Sequence, residues 1–156
     1  MSRSVRRVAG TDPVARELVD AMFAEVGLMY EPGLPKGPSA HPEELSPPAG
    51  GFVVLSEDGR AVAGGGVKRL DDRACELKRM YVVPDARGRG VGRELLAALE
   101  ALARDLGYAV ARLDTGAEQP RAQRMYERAG FAPVPDYNGN PYAEFWGEKR
   151  LDGGQP

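Results

Sequence analysis

The sequence predicts an α/β domain of the α+β type, built on a mixed, mostly antiparallel sheet with a parallel central pair flanked by helices. Three observations predict it. The 156 residues are 42% hydrophobic, enough for one core and, at about 150 residues per domain, for one domain. Hydrophobic periodicity runs strand, helix, three-strand meander, helix, strand, helix, hairpin. Within Ala74–Thr115 a strand leads through a helix to another strand, which places a locally parallel pair inside a sheet whose other links are short turns.

A first strand is expected over Ser4–Ala9. Asp12 and Pro13 fit an N-cap and first helical position, and Val14, Leu18, Met22 and Val26 follow at a four-residue spacing to an end near Gly27. From Gly27 to Gly51, eleven of twenty-five residues are Gly or Pro, too many for a long element. This stretch reads as a covering loop with a helical turn around Pro42–Leu45, given packing material by Met29, Tyr30 and Leu34. Phe52–Leu55, Ala61–Leu70 and Ala74–Val83 form the meander, joined by the turns Glu57–Arg60 and Asp71–Arg73 and stopped by Pro84. Val91, Leu95, Leu99, Leu102 and Leu106 mark the strongest helix, closed by Gly107. Val110–Thr115 reads as a buried strand, Pro120–Ala129 as a helix ending at Gly130, and Phe131–Val134 with Ala143–Leu151 as the last strand pair. The domain should cover residues 1–151 and leave 152–156 as a disordered tail.

Composition excludes several functions. With 21 basic and 23 acidic residues, a net charge of −2, no global field holds the chain on nucleic acid or anionic lipid. The start MSRSVRRVAG runs into Thr11, Asp12 and Pro13 rather than an apolar core, and no apolar run approaches the ~20 residues of a membrane span. A soluble, cytoplasmic protein is expected. One cysteine, Cys75, and one histidine, His41, support neither an internal disulfide nor a metal site. His41 reads as exposed, and a Cys75–His41 hydrolase pair lacks a third group and an oxyanion signature.

The 20 Gly and 13 Pro exceed the roughly 11 and 8 of average usage, and one cluster of them points to chemistry. Arg87-Gly88-Arg89-Gly90-Val91-Gly92-Arg93 lies between the end of a strand and the start of the best helix. Glycines let backbone approach a ligand, and the first N–H groups of a helix lack intrahelical partners and carry the positive end of its dipole. The result is an anion cradle. Five basic residues, Lys78, Arg79, Arg87, Arg89 and Arg93, surround it against the single acid Asp85. A nucleotide P-loop would need Lys and Ser or Thr after Gly92, and a dinucleotide fingerprint would need Gly where Arg93 stands.

Arg-x-x-Gly-x-Gly after a strand ending Val82-Val83-Pro84 is the pattern that does match, and here the sequence resembles the GNAT N-acetyltransferase superfamily. Downstream, Leu113-Asp114-Thr115 followed by Met125-Tyr126-Glu127-Arg128-Ala129-Gly130-Phe131 is similar to its second signature, a helix bearing a Tyr and closed by Gly-Phe. The two motifs cover roughly Phe52–Phe131. The ending from Tyr137 to Tyr142 and on through Glu148-Lys149-Arg150-Leu151 resembles a bacterial subgroup of the family.

The resemblance implies a single-domain GNAT-like fold, an acyltransferase, and acetyl-CoA as co-substrate with no metal. The acetyl group would pass directly to a primary amine of a small molecule or peptide. A non-catalytic module that binds CoA or acyl-CoA is the alternative. No nucleic-acid or membrane partner is implied, and a homodimer is compatible with it. The pyrophosphate would lie on backbone N–H groups of Arg87, Gly88, Arg89, Gly90, Val91, Gly92 and Arg93, and the pantetheine arm along Met80, Tyr81 and Val82, where an N–H can polarise the thioester carbonyl. Gln119 stands where the family often has a cofactor-contacting Asn, with the same amide one methylene further out. Tyr126 matches the Tyr that protonates the leaving thiolate. For the general base the resemblance offers Glu76, Asp114 or an ordered water. Tyr30, Glu31, Tyr137, Asn140 and Tyr142 are the expected lining of the acceptor pocket, because aromatics beside polar groups suit a cationic amine.

Overall fold

Seven strands form one sheet in the order β1-β2-β3-β4-β5-β7-β6. The computed structural model describes residues 2–29, 40–116 and 120–152; Tyr30, Glu31, Leu34, Gln119 and the tail beyond Asp152 lie outside the described residues. The elements are β1 (Arg3–Val8), α1 (Pro13–Met29), a 3₁₀ turn at Pro42–Leu45, β2 (Gly51–Glu57), β3 (Arg60–Arg69), β4 (Ala74–Val82), a 3₁₀ turn at Pro84–Ala86, α2 (Val91–Asp105), β5 (Val110–Gly116), α3 (Pro120–Arg128), β6 (Ala132–Pro133) and β7 (Ala143–Arg150). All neighbours pair antiparallel except β4 and β5. The expected mixed sheet with its parallel central pair is the one observed.

Three boundaries differ for physical reasons. Helix α1 runs through Gly27 to Met29, since one glycine costs a helix only about 1 kcal/mol. Strand β2 extends past Leu55 to Glu57, because the ladder runs on to Arg3 of β1 on one side and to Arg60 of β3 on the other. The expected strand Phe131–Val134 shrinks to Ala132–Pro133, because the Phe131 N–H is spent on closing α3.

Alternation along β2 divides the core between the two faces of the sheet. Phe52 and Val54 pack with Leu18 and Leu45 on the α1 side. Val53 and Leu55 pack with Leu95, Leu99 and Phe131 on the α2 side. Strand β3 passes between these layers with three consecutive residues lacking side chains, Gly64, Gly65 and Gly66. A Cβ on Gly64 would stand 2.7 Å from Leu18, on Gly65 2.9 Å from Leu99, and on Gly66 2.8 Å from Leu45. Side chains of both layers therefore fill the space that a Cβ on this strand would occupy.

Two positive-φ glycines set the helices that matter for chemistry. Gly90 (φ +82°) precedes α2 as its N-cap. Gly130 (φ +102°) ends α3: the Phe131 N–H donates to the Tyr126 carbonyl at 3.0 Å and the Gly130 N–H to Glu127 at 3.1 Å. This is a Schellman closure, which normally brings the flanking apolar residues together. Here they are Tyr126 and Phe131, edge to face with centroids 6.2 Å apart. The Tyr-x-x-x-Gly-Phe pattern is thus a local device that fixes the Tyr126 ring.

Candidate active site

The parallel pairing of β4 with β5 covers only Ala74–Glu76 against Val110–Arg112. Beyond it β4 continues to Val82 and β5 to Gly116, while β5 stays paired with β7 as far as Gly116. The two strands therefore part at Glu76, and the residues expected to act are gathered around that fork. Past it, β4 bulges opposite Gly64–Gly66. Arg79 takes a left-handed conformation there (φ +60°), which costs a non-glycine residue about 1–3 kcal/mol.

Glu76 is 3% exposed. It pairs with Lys78 at 3.4 Å, the ordinary structural role for a carboxylate two residues away on one strand face. It also accepts from the Tyr137 hydroxyl at 2.6 Å and from Asn138 Nδ2 at 3.0 Å. Asn138 Nδ2 donates as well to Asp114 at 2.5 Å, and Asn140 Nδ2 reaches the same oxygen at 3.3 Å. Asn138 Oδ1 accepts from Trp146 Nε1 at 3.0 Å and from the Asn140 N–H at 3.1 Å. A single amide thus ties both candidate bases to each other and to β7. The turn that presents it is built by Asp136, whose Oδ1 accepts the N–H groups of Asn138 and Gly139. Burial, reinforced by the Glu76 charge, raises the Tyr137 hydroxyl, so it stays a donor. Tyr142 donates its N–H to Asn140 Oδ1 at 3.0 Å.

Tyr126 is 7% exposed, and its hydroxyl donates to Met80 Sδ at 3.5 Å. Burial, with a smaller contribution from Asp114, pushes it up to about 12. A buried, protonated phenol is therefore aimed at a thioether, among the weakest acceptors a side chain offers.

At the glycine turn, tertiary structure changes the charge balance read from the local sequence. Arg87 pairs with Glu25 of α1 at 2.7 Å and donates through Nε to the Val82 carbonyl at 2.9 Å. Tyr81 donates to the same Glu25 at 3.3 Å. Arg89 pairs with Glu57 at 2.8 Å, and Arg3 joins the same carboxylate at 3.0 Å. Those guanidiniums hold Glu57 below the usual carboxylate range, Arg89 first. Asp85 pairs with Arg60 at 2.8 Å. The acids Glu25 and Glu57 come from distant chain positions, so an anion site here rests on the N–H groups at the start of α2 more than on arginine charge. The glycines also divide: a Cβ at Gly88 would meet nothing, whereas one at Gly92 would stand 3.2 Å from Met125 Sδ. Gly92 lets α2 approach α3, Val91 is buried and Arg93 exposed.

Cys75 is fully buried with its thiol pushed up to about 12 by burial, so it offers no thiolate at neutral pH. Among the described residues no group of three metal-ligating side chains gathers, and no helix is long and apolar enough to cross a membrane. Of the expected site residues, Glu76, Asp114, Tyr137 and Asn140 form one network, Tyr126 and Met80 a second contact, and residues 87–93 the turn. Sequence reasoning missed Asn138 and Trp146, because Asn before Gly139 reads as turn chemistry, and Glu25 and Glu57, which are distant in sequence.

The sequence profile of the acetyltransferase (GNAT) family matches residues 16–131. The chain belongs to the GNAT family. Membership makes it an N-acetyltransferase of the acyl-CoA-dependent kind. It is 30% identical over 141 residues to the N-acetyltransferase YjgM of Escherichia coli K12, covering 85% of this chain and 83% of that one. A structure from Klebsiella pneumoniae described as an acyl-CoA N-acyltransferase superposes with a TM-score of 0.76 at 29% identity, covering 96% and 97% of the two chains. A GNAT-family acetyltransferase from Staphylococcus aureus Mu50 shares the fold at 16% identity, with a TM-score of 0.77 over 95% and 99%.

Proposed function

We propose that this GNAT-family protein transfers the acetyl group of acetyl-CoA directly to a primary amine of a small molecule or peptide. The observation that carries the reading is the Tyr126 hydroxyl: buried, protonated, and donating only weakly to Met80 at 3.5 Å across the fork from two tethered carboxylates. A pure binding module needs neither group. The acyl thioester supplies the group that moves. At Met80–Val82 β4 stays paired with β3 but no longer with β5, and that open edge, with the N–H groups at the start of α2, suits its pantetheine and pyrophosphate.

The amine must shed a proton to expose its lone pair, and Glu76 or Asp114 is suited to take it, directly or through a water. The C–N bond then forms at the thioester carbonyl while an N–H of Met80–Val82 steadies the charge on oxygen. As the C–S bond breaks, Tyr126 hands its proton to the departing sulfur, a far stronger acceptor than the thioether it faces at rest, and the second proton that the nitrogen sheds as the amide forms restores the phenol. The products are the N-acetyl amine, CoA and the proton lost by the ammonium.

The test is incubation with acetyl-CoA carrying an isotopic label in its acetyl group and a panel of primary amines and peptides, followed by mass spectrometry. A labelled amide with stoichiometric CoA release is expected. Tight acetyl-CoA binding with no amide from any amine would leave the binding-module reading instead.

A further inference from the structure

Arg79 is used by nothing in the reaction described so far, yet the fold holds it under unusual constraint. It sits in the β4 bulge with φ +60°, a conformation in which glycine or asparagine would rest more easily than arginine. Its guanidinium lies 4.7 Å from the centroid of the Phe23 ring of α1. A contact with the face of a phenyl ring gives the guanidinium N–H donors no oxygen or nitrogen acceptor. Among the described residues no carboxylate forms an ion pair with Arg79 and no acceptor takes a hydrogen bond from it, although burial disfavours its charge and the nearby Glu76 and Asp114 favour it. A partly buried guanidinium with unused donors is costly unless something else takes them.

Arg79 and Phe23 line a cavity of about 190 Å³ whose wall also includes Arg16, Val19, Asp20 and Leu45. Two cations and one carboxylate leave a single positive charge, which suits a monoanion; a dianion would be underpaired beside Asp20. Arg79 is three residues along β4 from Glu76, about 10 Å at most between backbones. Glu76 with Asp114 thus attracts a cation, and the Arg79 cavity a short way along the same strand attracts an anion.

We infer that the cavity at Arg79 is a carboxylate subsite, and that the acetyl acceptor is an amino acid, its ammonium toward Glu76 and Asp114 and its carboxylate on the Arg79 guanidinium. This rests on the acetyl-transfer reading and adds the class of acceptor to it. Phe23, Val19 and Leu45 give the cavity apolar walls for the rest of the molecule.

The experiment compares acetylation of the common amino acids with that of their α-carboxamides, in the wild type and in Arg79→Asn, chosen because asparagine tolerates the left-handed backbone. The amides keep the amine and lose only the anion. The wild type is expected to use at least one acid with kcat/KM ten or more times that of its amide. Arg79→Asn should raise the KM for that acid at least tenfold, leave the amide's KM and the KM for acetyl-CoA unchanged, and keep its thermal midpoint within a few degrees. Equal use of acids and amides by the wild type, or an equal loss of both in the variant, would overturn the subsite while leaving acetyl transfer standing. Absence of any N-acetyl product from acids, amides and simple amines alike would instead remove the transfer reading, and the subsite with it.

Discussion

The two sides of the fork are made from different material. On the side proposed for the donor, the glycine turn and the β4 edge beyond the β5 pairing present peptide groups, and Arg87 and Arg89 are occupied by Glu25 and Glu57. On the side proposed for the acceptor, Glu76, Asp114, Tyr137, Asn138 and Trp146 form a web of side chains drawn from three strands and a turn. A backbone site tolerates changes of side chain and fails when an element shifts. A side-chain web does the reverse.

The sharpest way to break that contrast is to cut the web at its centre. Asn138→Ala removes the donor shared by two carboxylates and the acceptor of a half-buried indole N–H, and should lower the unfolding free energy by about 3 kcal/mol, read from urea denaturation. An effect below about 1 kcal/mol would mean that Asn138 holds nothing together. Next, Tyr126→Phe should cut kcat by about 100-fold with acetyl-CoA affinity unchanged by calorimetry, because only the proton is lost. With the hydroxyl at about 12, the wild-type rate should show no loss from this group on the alkaline side below about pH 11.

A probe of the donor side must move an element. Gly92→Val pushes against Met125 Sδ, 3.2 Å from where its Cβ would sit, and should cost about 1–2 kcal/mol of stability together with weaker acetyl-CoA binding. Arg93→Ala on the exposed flank of the same turn should change affinity far less. The smallest effect is expected at Glu57→Gln. The folded state holds Glu57 below the usual carboxylate range, so its contribution is complete above that range and is lost as the pH falls through the lowered value. The thermal midpoints of wild type and variant should differ at pH 7 and converge as the pH falls through and below that lowered value; a constant gap would show that the guanidinium pairs are not its source.

Legibility in the sequence followed the same division. The turn could be read because a glycine run before an apolar heptad has a local meaning, and Tyr126 because the Gly130-Phe131 closure that fixes its ring is local too. Strand and helix order came through periodicity alone. Asn138 was hidden because its importance lies in partners 62 and 24 positions away, and nothing near it in the chain announces them. Arg79 looked like one of five neighbouring cations until the bulge gave it a backbone conformation that the others lack. The charge of the turn was misjudged by its neighbourhood for the same reason, since its acids arrive from α1 and β2.

The three side-chain-free residues of β3 carry a consequence for how such a protein can diversify. A Cβ placed at Gly64, Gly65 or Gly66 would stand under 3.0 Å from the end carbons of Leu18, Leu99 or Leu45, so a substitution there must move the leucines that set the gauge between the two layers. A change of acceptor then disturbs that packing least at the rim, in the Asp136–Tyr142 turn and along the exposed face of α1. Randomised libraries should recover altered acceptor preference from those positions and wild-type glycine from the triplet.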